Sequence, residues 1–139
     1  MDQKNRLNIP AKFRKALDPI NDRTFVLTKG FDKCLLLYPF LEWKKVEEQL
    51  TRLSSIRNRD RNFVRSITRH ASPAQYDSQG RIPITETLIK YSGIRKEVTV
   101  IGMITKIELW SPDVLLGMDK RDEGITDNNF DDLANEINF

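Results

Sequence analysis

The sequence predicts an α+β fold, mainly β, made of two tandem strand–helix–hairpin units joined by a pair of helices. Three observations predict it: a pattern that recurs at a fixed offset, short runs of alternating apolar residues, and a middle stretch with apolar residues at helical spacing. The first copy opens Asp2, Gln3, Lys4, Asn5, Arg6 and runs into Leu7, Asn8, Ile9, Pro10. The second opens Asp77, Ser78, Gln79, Gly80, Arg81 and runs into Ile82, Pro83, Ile84, Thr85, an offset of 75 throughout. Further on, Phe25, Val26, Leu27, Gly30, Leu35, Leu37, Tyr38 answer to Val98, Val100, Ile101, Gly102, Ile107, Leu109, Trp110 at an offset of 72.

Each unit is read element by element. Leu7/Ile9 and Ile82/Ile84 alternate as a short half-buried strand. Pro10 suits the first turn of the helix that follows, where its missing N–H costs nothing. Ala11 to Leu17 is then helical, with Phe13 and Leu17 four apart on one face, matched by Leu88 and Tyr91 three apart in the second copy. Gly30 and Gly102 stand between apolar runs, where a positive φ would let the chain reverse into a hairpin. The second copy has an opening segment, Ala71 to Tyr76, which Pro73 confines to an edge or bulged strand. Between the copies, Trp43, Val46, Leu50 and Leu53, then Phe63 and Ile67, predict two helices broken near Ser54 and Ser55. A unit this small buries too little core alone, so the two should close on each other. The expected divisions are 1–41 for the first half, 42–70 for the helical linker, 71–116 for the second half and 117–139 for an acidic tail. In the tail Phe130, Leu133, Ala134 and Ile137 follow helical spacing after Asp127 and Asn128, which suit a cap.

Charge narrows the function. Residues 1–112 hold 21 Lys and Arg against 12 Asp and Glu, a balance of +9, while residues 113–139 hold 2 against 8, a balance of −6. A basic body favours a polyanionic partner, although a solvated mixed surface has the same composition. Arg52, Arg57, Arg59, Arg61, Arg65 and Arg69 crowd the linker; they suit phosphate, a subunit contact or plain solvation equally. Cys34 lies in an apolar run and reads as a buried hydrophobe rather than a reactive thiol. One Cys and one His (His70) cannot form a zinc cluster within one chain. The polar start and the lack of a long apolar run point to a cytoplasmic protein without a membrane span; no cofactor and no small-molecule substrate are expected.

Two DxxxR loops in register, each followed by a strand and a helix, with a two-helix linker between, resemble the MraZ family. Phe31 to Trp43 (FDKCLLLYPFLEW), GIRKEV and IELW between Tyr91 and Trp110, and the ending FDDLANEI are similar to it as well. The resemblance implies AbrB-like halves forming a pseudo-two-fold barrel. It further implies a repressor that binds double-stranded DNA as a homo-oligomeric ring, reading repeated G-rich sites upstream of the division and cell-wall genes, in the nucleoid. Its DNA-binding residues carry over to Asp2 and Arg6, and to Asp77 and Arg81, with Lys4 an added phosphate contact and Gln79 its neutral counterpart. The chemistry agrees: an Asp carboxylate can accept loop N–H groups and shape the turn, while Arg offers a planar fork to guanine edges or phosphates. The alternative at these positions is an Arg that only pairs with Asp inside the turn. Gly80 suits a positive φ, and Asn5 is the next most tolerant residue type.

Family members usually carry an opening strand before the first DxxxR, whereas this chain starts at the motif. Either the start is truncated or misassigned, or the first half lacks that strand; without it Asp2 is expected at a frayed terminus and Arg6 less well organised than Arg81. Two rival functions follow from the same residues. One is an oligomeric scaffold or antitoxin-like partner with incidental DNA affinity. The other is a small enzyme, for which no catalytic grouping can be assembled.

Overall fold

The computed structural model describes residues 1–53, 55–121 and 127–137, apart from the side chains of 121–128. In chain order it contains β1 (Arg6–Asn8), α1 (Ala11–Ala16), a 3-10 turn (Pro19–Asn21), β2 (Thr24–Lys29), β3 (Leu35–Pro39), α2 (Phe40–Leu50) and α3 (Asn58–Thr68). Then follow β4 (Ser72–Gln75), β5 (Arg81–Pro83), α4 (Glu86–Ser92), β6 (Thr99–Gly102), β7 (Ile107–Trp110), α5 (Pro112–Arg121) and α6 (Asp127–Glu136). The α+β class is as expected. Helix α5 runs unbroken across residues 116 and 117, where the sequence suggests the start of the tail.

The strands form two antiparallel sheets. A small one pairs β1 with β5, setting Leu7 opposite Ile82. The large one has the order β4-β2-β3-β7-β6, so the two hairpins meet at β3 and β7, with Leu35 opposite Leu109. Strand β4, with Pro73, lies at one edge, the position open to a residue that cannot donate to a ladder. At the other edge, among the described residues, the outer side of β6 pairs with no strand.

Alternation along the large sheet divides the core into two layers. Phe25, Leu27, Leu35, Leu37, Ile107 and Leu109 pack against Leu7, Ile9, Ile82, Ile84 and Leu88 from the small sheet and α4. Phe13 and Leu17, the expected inner face of α1, pack against the same cluster. The opposite face, Val26, Leu36, Tyr38 and Trp110, packs against Trp43 and Val46 of α2, Ile67 of α3 and Val114 and Leu115 of α5. Each fully buried Leu or Ile contributes about 1.5–3 kcal/mol.

The hairpin glycines act differently from the expectation. Positive φ falls at Gly80 and Gly93 among the glycines, and at Asn5, Asp22, Arg23 and Ile104 elsewhere, but at neither Gly30 nor Gly102. Both glycines instead give clearance: a Cβ on Gly30 would lie 2.6 Å from Cys34 Sγ, and one on Gly102 would lie 3.0 Å from Phe13. Ile104 supplies the left-handed turn of the second hairpin, with φ 71°.

Candidate functional site

The two DxxxR segments fold into the same loop. In the first, Asp2 Oδ1 accepts the backbone N–H of Lys4 at 3.0 Å and of Arg6 at 2.8 Å. In the second, Asp77 Oδ1 accepts from Gln79 at 2.9 Å and from Arg81 at 3.0 Å. The backbone closes both turns identically, Asp2 N to Arg6 O and Asp77 N to Arg81 O, Asn5 N to Asp2 O and Gly80 N to Asp77 O. The expected left-handed residues are in place, Asn5 at φ 58° and Gly80 at φ 78°. Asn and Gly tolerate this bend best.

Asp2 is not frayed, which corrects the expectation for the first loop. Its support comes from the second half: Ile84 N donates to Asn5 O at 2.9 Å, as Ile9 N donates to Gly80 O at 2.8 Å. The Met1 ammonium also hydrogen-bonds Lys96 O, as Tyr76 N bonds Arg23 O in the other copy. Through the β1·β5 ladder each loop is thus tied at its centre to the partner half.

This pairing brings Asp2, Arg6, Asp77 and Arg81 together on one surface. Arg6 Nε donates to Asp2 Oδ2 at 2.8 Å and Arg81 Nε to Asp77 Oδ2 at 3.0 Å. An ion pair of 3.6 Å, Arg81 Nη1 to Asp2 Oδ2, crosses between the loops. Asp Oδ1 and the backbone already close each turn, so the Arg side chain is not needed for closure. What the Nε bond does is aim the guanidinium, on a side chain 31% exposed in Arg6 and 24% in Arg81, with Arg81 Nη1 also facing Asp2. Lys4 is exposed beside them, and Gln79 is its neutral counterpart. Both carboxyls are held below the ordinary 3.8, chiefly by the N–H of Arg6 at Asp2 and of Arg81 at Asp77. They stay ionised across the physiological range, and each offsets the charge of its Arg. Each pair is thus close to neutral, and what the guanidiniums offer at the surface is directional hydrogen-bond donors.

Two contributors escape sequence reasoning. Arg14 lies under the second loop, donating from Nε to Ile9 O at 2.8 Å and stacking 5.9 Å over Tyr76. Asn8 bridges the halves, its Nδ2 donating to Gln79 O at 3.0 Å. No local signal marks either one, because each partner loop lies more than sixty residues away. Cys34 and His70 stand apart from the loops: Cys34 is buried, its thiol pushed up to about 12 by that burial and by Glu108 and Asp32. Among the described residues no helix is long and apolar enough to cross a membrane.

The MraZ protein family model, whose description likens it to antitoxins, matches residues 1–66 and 67–115, one match for each DxxxR copy. The chain belongs to the MraZ family. A Halothermothrix orenii protein named transcriptional regulator MraZ is 46% identical over 111 residues, 80% of this chain and 75% of that protein. The namesake from Clostridium acetobutylicum is 44% identical over the same shares. That of Pediococcus pentosaceus is 38% identical over 139 residues, 99% of this chain and 90% of the relative. Both loops lie within the segments matched to the MraZ model.

Proposed function

We propose that this chain is a non-enzymatic transcriptional regulator, a repressor that binds double-stranded DNA sequence-specifically. One observation carries the reading: two loops closed by Asp with the same hydrogen bonds stand side by side, each aiming a guanidinium at the surface. Asp2 and Asp77 shape the loops, Arg6 and Arg81 read guanine edges, and Lys4 contacts phosphate. The relatives' shared name, transcriptional regulator MraZ, supports the same reading.

In this reading the AbrB-like halves 1–41 and 71–116 close into a pseudo-two-fold barrel, spanned by the linker 42–70 and followed by the acidic tail 117–139. The bonds repeated between Asn5 and Ile84 and between Ile9 and Gly80 support that symmetry. A homo-oligomeric ring presents many loops to repeated G-rich sites upstream of the division and cell-wall genes, in the cytoplasm at the nucleoid. One small loop makes few contacts, so linked loops gain through effective concentration.

The test is binding to a duplex carrying the repeats upstream of its own gene against a scrambled duplex, at two salt concentrations. Preference for the repeats should persist at moderate salt and collapse in Arg81→Ala. Arg81→Lys, which keeps the charge and loses the planar fork, should fall nearly as far, by about 1–3 kcal/mol of discrimination. Equal binding to both duplexes, lost with salt and indifferent to Arg81, would favour a scaffold or antitoxin-like partner with incidental DNA affinity.

A further inference from the structure

The α2–α3 pair carries a second surface. A groove between the two helices is lined by Leu50, Leu53 and Val64 and edged by Arg61 and Arg65. It lies across the large sheet from the DxxxR loops, because the α2 and α3 residues pack on the Val26, Leu36 and Tyr38 face. The loops belong to the small sheet on the other face. A duplex held at the loops as proposed would meet that other face, which leaves the basic side chains of α3 on the side away from it.

Helix α6 has the matching chemistry. Phe130 and Leu133, with Ile137 just beyond the helix, are 61%, 55% and 70% exposed, and with Ala134 they form one apolar face. Residues 127–136 carry Asp127, Asp131, Asp132 and Glu136 and no Lys or Arg. On α3 the groove residues Arg61, Val64, Arg65 and Thr68 recur at the same i, i+3, i+4, i+7 interval. Helical geometry puts Asp131 and Glu136 on the two flanks of the α6 apolar face, where basic groove edges would meet them. A ten-residue helix is marginal alone, and docking supplies the burial that it needs.

We infer that α6 of one copy docks apolar face down in the α2–α3 groove of a second copy, with its acidic flanks against Arg61 and Arg65. This rests on the oligomeric part of the proposed function. The acidic tail is then an assembly element between copies, and its charge is complementary to the linker rather than to DNA.

The test mixes two full-length variants, Leu53→Cys and Leu133→Cys, under mild oxidation; Cys34 is buried and stays out of the exchange. A covalent dimer should form at least tenfold faster than from Leu133→Cys mixed with Ile104→Cys, on an exposed hairpin tip. Thr51→Cys, which also lines the groove, should reproduce the result. Adding Arg65→Glu to the groove chain should slow the reaction about tenfold, and Asp131→Lys in the other chain should restore it. Dimer formation no faster than in the control overturns the inference. In one variant carrying both Leu53→Cys and Leu133→Cys, bridging confined to within the chain also overturns it. Light scattering on the same samples separates the two readings: an oligomer without the cross-link removes the docking alone, whereas a monomer removes both.

Discussion

Asn5 and Gly80 make the same left-handed bend with different residues, and the difference is measurable. Gly80→Ala places a Cβ at φ 78° and 2.5 Å from Arg14 Nε, so it should cost about 1–2 kcal/mol in urea unfolding. Asn5→Gly should change stability by less than about 0.5 kcal/mol, since Asn already tolerates αL. Ile104 is the opposite case: a β-branched side chain at φ 71° that is fully exposed, so Ile104→Gly should gain about 1 kcal/mol with no packing lost. The loop carboxylates give a pH signature. Asp2 and Asp77 have folded pKa values lowered from 3.8, so their contribution to stability is complete well above that value and is lost as pH falls through the folded one. Carboxyl titration by NMR should place both midpoints below 3.8, and neutralisation of either loop between pH 5 and 8 would contradict the hydrogen-bond pattern. Both left-handed positions were legible in the sequence because that preference is local. Gly30 and Gly102 were misread because their job is clearance from Cys34 and Phe13, which no local pattern reports.

At the scale of elements, position in the sheet sets the order of opening. Strand β3 is paired on both sides and β6 on one among the described residues, and β6 is correspondingly only half-buried. Amide exchange should therefore be faster in the two edge strands, Ser72 to Gln75 and Thr99 to Gly102, than at Leu35 to Leu37, with equal protection contradicting the edge assignment. Helices α1, α2, α3 and α6 were all readable from apolar spacing, and Pro73 correctly marked an edge strand. What spacing could not supply was the pairing of β1 with β5. Two three-residue strands have almost no signal of their own, and their register is set by Leu7 and Ile82 meeting in the core.

At the scale of the whole molecule, the two halves have one core between them. Leu7, Ile9, Leu35 and Leu37 from the first copy and Ile82, Ile84, Ile107 and Leu109 from the second occupy a single cluster. Residues 1–70 expressed alone should accordingly be largely unfolded by circular dichroism, and the full chain should melt in one transition. A stably folded single half would refute this dependence. By itself the sequence determined the repeat, the α+β class, the loop chemistry and the family, because each depends on residues close together or on a pattern repeated along the chain. The tertiary structure alone decided that the two DxxxR loops share one surface, that the first loop closes with the same hydrogen bonds as the second, and that Arg14 and Asn8 support them. Those outcomes depend on contacts between residues some seventy apart, where loop closure costs entropy and only the shared burial of Leu7, Ile9, Ile82 and Ile84 selects the register.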